Sequence, residues 1–224
     1  MRSILFVFTF AVAVLTANTA FANGPWIRSF QDYKFPTQVA MEHDQWVNPA
    51  AASATLLKSG AAISSTAATT ITSFAAQPDF ARNITLTPTG TTANVAAGTA
   101  VVTGLNIFGK TISENFSISS TQSTATTGNK AFKSVSSVVF PQASGTGVTL
   151  SIGSGTKLGL RRCMAQTGDY DWSVYGGAYE ATRGTIAANA TAIESNTFIP
   201  NGSEDGANQV DMYYVQNFRC YPGQ

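Results

Sequence analysis

Residues 101–118 read VVTGLNIFGKTISENFSI, and this stretch decides the fold. Ile112, Glu114, Phe116 and Ile118 fall at every second position, with Thr111, Ser113, Asn115 and Ser117 between them. A period of two puts successive side chains on opposite faces, so 111–118 reads as a half-buried strand. Val101, Val102, Leu105, Ile107 and Phe108 form an apolar run before Gly109-Lys110, the expected hairpin tip. The texture continues outward. Arg82 to Thr87 alternates polar and apolar, Phe132 to Phe140 forms a run ended by Pro141, and Val148, Leu150 and Ile152 alternate. Gln77-Pro78-Asp79 and Pro88-Thr89-Gly90 are turn signals, and Gly153-Ser154-Gly155 reads as a strand break. Beyond it, 172–179, interrupted at Gly176-Gly177, and 185–191 read as strands, and 204–208 as a polar loop. The last strand, Val210 to Val215, carries aromatics on both faces, so both its faces are expected to be covered. Strands separated by turn signals roughly every 8 to 12 residues indicate a sandwich or barrel.

Composition agrees. The chain has 224 residues, enough to bury a sizeable core. Charged residues make up 11%, where about 25% is usual. A formal charge of +1 gives no electrostatic footprint for nucleic acid or an anionic membrane. The scarcity of Glu and Lys argues against a helix bundle, while Thr, Ser and Val with regular Gly argue for an all-β chain.

The N-terminus differs in texture. Residues 1–22 have a basic Arg2, an apolar run from Ile4 to Leu15, and Ala20-Phe21-Ala22 as a small-x-small cleavage site, the pattern of a secretory signal. Residues 23–50 hold Trp26, Phe30, Tyr33, Phe35, His43 and Trp46 without a clear period, and read as an extended arm. Its aromatics pack on the same domain or on a neighbouring subunit. Residues 51–68 are Ala/Ser/Thr-rich and read as a linker or a weak strand pair. The expected organisation is a signal-like segment over 1–22, arm and linker over 23–68, and a β-sandwich, jelly-roll or Ig-like, over 69–224.

The inventory for chemistry is thin. His43 is the one histidine, and the two cysteines, Cys163 and Cys220, cannot make a four-cysteine zinc site. Either they form a disulfide closing a long loop, as export would allow, or they are two buried thiols. Glu114, an acid on an apolar strand face, reads as a structural acid paired with a basic or backbone donor, or as marking a face open to solvent, because no second carboxylate stands near it. Asp169, Asp171 and Glu180, and Glu204, Asp205 and Asp211, lack the spacing of a calcium loop and read as solvated loop acids. Arg161-Arg162 reads as a surface or intersubunit ion-pair site. Trp26, Trp46 and Trp172 are scattered, as core or interface anchors are, rather than grouped as a sugar platform. No catalytic, cofactor-binding or metal residue is expected. The candidate interface residues are Trp26, Phe30, Tyr33, Phe35 and Trp46 on the arm, with Tyr213 and Val215 on the last strand.

Four segments in order resemble small β-rich virion proteins of tailed bacteriophages: Arg82-Asn83, Gly109 to Glu114, Ala131 to Lys133, and Gly153 to Leu160. The resemblance covers 69–160, with weaker echoes to 216. It implies a non-enzymatic subunit located in the virion that decorates or cements a capsid, or belongs to a tail. Its implied partners are copies of itself, a trimer included, and a major capsid or other virion protein, with no nucleic acid and no small-molecule substrate. The signal-like N-terminus favours a different expectation, an exported bacterial surface or filament subunit with a cleaved leader and a disulfide. A secreted enzyme or carbohydrate-binding module is the third reading.

Overall fold

The computed structural model describes residues 40–121 and 123–216, the side chain of Thr92 excepted. The segment expected to be a signal, the arm residues Trp26, Phe30, Tyr33 and Phe35, and Cys220 lie outside the described residues. The chain is all-β, as the alternation requires. Its strands are β1 (Met41–Trp46), β2 (Ser53–Ala62), β3 (Thr69–Ile71), β4 (Arg82–Thr89), β5 (Gly98–Leu105), β6 (Thr111–Ile118) and β7 (Thr126–Thr127). They continue as β8 (Ser134–Phe140), β9 (Thr149–Gly159), β10 (Tyr170–Tyr175), β11 (Ala178–Tyr179), β12 (Thr185–Ala187), β13 (Thr197–Ile199) and β14 (Val210–Val215).

All pairings are antiparallel and build three sheets. One has the order β12-β13-β9-β4-β7, with β2 also on β9; the second is β3-β8-β5-β6; the third is β1-β14-β10-β11. The first two enclose the larger core. Leu57, Ile84, Leu86, Leu150 and Ile152 come from one side, and Val102, Phe116, Val138 and Phe140 from the other. A second core forms where the far half of β9 meets the third sheet: Leu158 and Leu160 pack with Trp46, Tyr170, Phe198, Met212 and Tyr214. The 101–118 stretch is the expected hairpin, with Val102 opposite Glu114 and Leu105 opposite Thr111. Its tip glycine, Gly109, has φ of 76°, a backbone state that glycine enters at no steric cost.

Four expectations are corrected. Over 51–68 the linker reading fails and the weak-strand reading holds in part: residues 53–62 form β2, paired to β9 with irregular register. Its Leu57 is fully buried, and the missing side chain of Gly153 in β9 lets the Ser53 backbone lie close. The arm does not run to residue 50, because β1 pairs residue for residue with β14, from Met41 opposite Val215 to Trp46 opposite Val210. The sheet system therefore begins at β1 rather than at 69. Gly153-Ser154-Gly155 does not end a strand: β9 runs through it for 11 residues. Nor do 185–191 form one strand, since β12 ends at Ala187.

What the glycines mark is a bulge. Arg82 pairs with Leu158 and Ile84 with Ser154, so two steps along β4 match four along β9. Extra residues leave ladder groups without strand partners. Two consecutive side chains of β4 supply them. Arg82 Nη1 donates to the Gly155 carbonyl at 3.2 Å, and Asn83 Oδ1 accepts from the Lys157 N–H at 2.9 Å. Asn83 Nδ2 donates to the Gly128 carbonyl at 3.1 Å. Both side chains are buried, with 0% and 1% exposure.

Two stability measurements check this account. Asn83→Ala leaves the Lys157 N–H unpaired in a part-buried place, and should lower unfolding free energy by about 1–3 kcal/mol. Gly153→Ala would put a Cβ 1.9 Å from the Ser53 carbonyl oxygen. Displacement of β2 should cost about 1–3 kcal/mol, read as a lower urea midpoint.

Candidate interaction surface

Alternation along β14 sends Val210, Met212 and Tyr214 inward, where all three are fully buried. Asp211, Tyr213 and Val215 take the other face, and Tyr213 and Val215 are half-buried. Strand register sets His43 of β1 and Trp172 of β10 on either side of Tyr213. The rings stack. His43 and Tyr213 have centroids 4.4 Å apart and planes 2° apart, and Trp172 and Tyr213 are 4.5 Å and 19° apart. This ladder covers both faces of the Tyr213 ring and turns its edge outward. A sugar-stacking platform needs free ring faces, and Tyr213 has none.

Below the ladder, Asp211 gathers the polar groups of this face. It lies 2.7 Å from His43 Nε2 and accepts from Gln45 Nε2 at 3.2 Å and Gln209 Nε2 at 2.7 Å. On the inner side of β1, Asp44 accepts from the Arg161 N–H at 2.8 Å, Arg161 Nε at 2.7 Å and the Tyr214 hydroxyl at 3.0 Å. Burial, reinforced by the Asp44 charge, pushes the Tyr214 hydroxyl far above its ordinary pKa. The hydrogen bond to Asp44 also raises the Arg161 guanidinium. A cleft of about 220 Å³ opens beside this group, lined by Trp46, Phe80, Ile107, Lys133 and Arg161 among others. The carboxylate in its wall, Asp44, is already committed to three donors.

The structure redistributes several candidates. Trp46 is 4% exposed and belongs to the second core, so it is not an exposed interface anchor. Arg161 forms an ion pair within the chain, because the strand that carries Asp44 is part of the third sheet. Asp169, Glu180, Glu204 and Asp211 are buried, not solvated loop acids. Asp205 is solvated, and the backbone N–H groups of Ala207 and Asn208 hold its pKa down to about 2. Among the described residues, no three His, Cys, Asp or Glu side chains group as a metal site. Glu114 pairs with backbone donors: it accepts from the Asn129 N–H at 2.6 Å and from the Lys130 N–H. Cys163 is fully buried and disulfide-bonded, and the one other cysteine of the sequence is Cys220.

A second surface was not legible as a surface in the sequence. The outward positions of β5, β6 and β8 include Thr99, Val101, Thr103, Ser113, Asn115 and Val139, and none of the outward residues on these strands is charged. Val139 is 37% exposed and Leu105 38%. The free edge of this sheet, β6, is partly capped from within: the Ser113 carbonyl accepts from Lys130 Nζ and the Ser117 carbonyl from Thr126 Oγ1. Capped carbonyls blunt strand addition at that edge. Comparison with protein-family models, with curated proteins and with solved structures finds no match to this chain.

The Asp44 group predicts an asymmetry. Asp44→Ala strands buried donors and should cost about 2 kcal/mol. Arg161→Ala removes a half-exposed partner and should cost no more than about 1 kcal/mol. Urea unfolding of the two variants measures both.

Proposed function

We propose that the chain is a non-enzymatic structural subunit of a phage particle, decorating or cementing its capsid, or belonging to its tail, through contacts between β-sandwiches. The observation that supports this reading is where the segments that carry the resemblance are spent. Arg82 and Asn83 fill the β9 bulge, Gly109 turns the β5–β6 hairpin, Glu114 clamps the loop before Ala131, and Gly153 lets β2 approach. These residues build a scaffold. The surfaces left over suit association. An outward face without charges meets a neighbour with little desolvation cost. Repetition on a lattice then multiplies weak contacts into firm attachment.

A second reading has its own support. The signal-like N-terminus and the disulfide at Cys163 favour an exported bacterial surface or filament subunit.

Intact-mass spectrometry without reduction, on protein recovered from purified particles and from the cell envelope, separates the two. The phage reading expects stoichiometric amounts in particles. Its absence there, with an envelope-bound chain beginning at Asn23, would replace it with the second. Removing residues 23–39 should leave the sheets folded and abolish assembly; normal assembly of that variant would remove the arm from the proposal.

A further inference from the structure

Arg82 does more than fill the bulge. Its guanidinium is fully buried and faces two carboxylates. Nη1 lies 2.5 Å from Glu204 Oε2, Nε 2.6 Å from Asp79 Oδ1, and Nη2 3.0 Å from Asp79 Oδ2. The remaining contacts are to carbonyls: Nη2 donates to Ala50 at 2.8 Å and Nη1 to Gly155. One positive charge thus faces two negative ones, in a place where a net charge is costly.

The two carboxylates are not equivalent. Asp79 is partly exposed, and it accepts from the backbone N–H groups of Ala50 and Phe80, both at 2.9 Å. The Glu204 side chain is 2% exposed, and its Oε1 is buried without a hydrogen-bond partner. Donors to the charged form favour ionisation, and burial without them opposes it. Any excess proton therefore belongs on Glu204.

We propose that Arg82, Asp79 and Glu204 form a proton-dependent clasp, which holds the loop over residues 200–209 most firmly when Glu204 is neutral. The elements joined give the clasp its reach. Ala50 lies between β1 and β2, Asp79 precedes β4, Gly155 is in the middle of β9, and Glu204 lies between β13 and β14. The charged groups facing Glu204 are Arg82 and Asp79. Its carboxyl is pushed up to about 7 by burial, against the opposing pull of Arg82. A carboxyl raised in the folded state contributes stability that is full below its unfolded value of about 4.3 and lost as pH rises through the folded value. The loss should therefore begin near about pH 4.3 and be nearly complete a little above about pH 7, so that this loop loosens as the solution goes from acid to neutral and changes little beyond.

Carboxyl ¹³C NMR of the full chain reads Glu204 directly. A titration midpoint above about 5.5 supports the clasp, and one at or below that value overturns it. The second measurement is urea unfolding across the same pH range for the wild type and Glu204→Gln. The amide mimics the neutral acid and should flatten the loss of stability on raising pH. Every other ionisable group is common to both proteins, so the comparison isolates the contribution of Glu204. An unchanged slope in Glu204→Gln would contradict the proposal. If that variant does not fold, the midpoint measured on the wild type alone decides.

Discussion

The bulge in β9 is the constraint on which the rest of the structure depends. Among the described residues, β9 is the one strand that serves both cores, through Leu150 and Ile152 at one end and Leu158 at the other. Its neighbour on one side changes along its length, from β2 to β13, while β4 accompanies it throughout. Extra residues where the neighbour changes leave buried backbone groups that strand pairing cannot reach. A buried orphan of this kind costs about 1–3 kcal/mol. Arg82 and Asn83 remove the problem because adjacent strand residues point to opposite faces. One side chain can then reach the Gly155 carbonyl and the other the Lys157 N–H.

Charge follows from this arrangement. A guanidinium placed at the bulge for its donors must be neutralised in the interior, and Asp79 and Glu204 do so from two different loops. The geometry that patches one strand thereby ties together segments belonging to both cores. Low overall charge makes such a buried cluster conspicuous: few ionisable groups are available, and several of them are used inside the fold. What is left on the outward sheet faces is Thr, Ser, Val and a stack of rings. The uncharged outward face of β5, β6 and β8 supports the reading of a subunit made to pack beside others.

The fold was legible where the side-chain period was clean. The 101–118 hairpin, the strand from Arg82 to Thr87 and the last strand, Val210–Val215, follow from alternation and turn residues alone, although β4 continues through Pro88 and Thr89, which read as a turn. The paired-acid reading of Glu114 also held, because an isolated carboxylate on an apolar face needs donors. β2 was left open between linker and strand: Ala, Ser and Thr carry little periodic signal, and within it only Leu57 is fully buried. The Gly153-Ser154-Gly155 stretch misled because glycine signals a break and a close backbone approach equally well. Trp46 was assigned to an arm because a six-residue strand with mixed charge has no visible period. Glu204 looked solvated because local sequence says nothing about an arginine 122 positions away. The His43–Tyr213–Trp172 ladder depends on register between distant strands, which no local pattern encodes.

The most direct test of this account is native-state hydrogen exchange on the amides of β9 and β14. In the wild-type protein, the amides of Ile152 in the larger core and Met212 in the second should open with a common free energy, because the Arg82 clasp makes the two cores one cooperative unit. In Arg82→Met, Met212 should exchange through a separate, lower-energy opening. If Ile152 and Met212 still open together when Arg82 is replaced, the bulge and its clasp are not what joins the two cores.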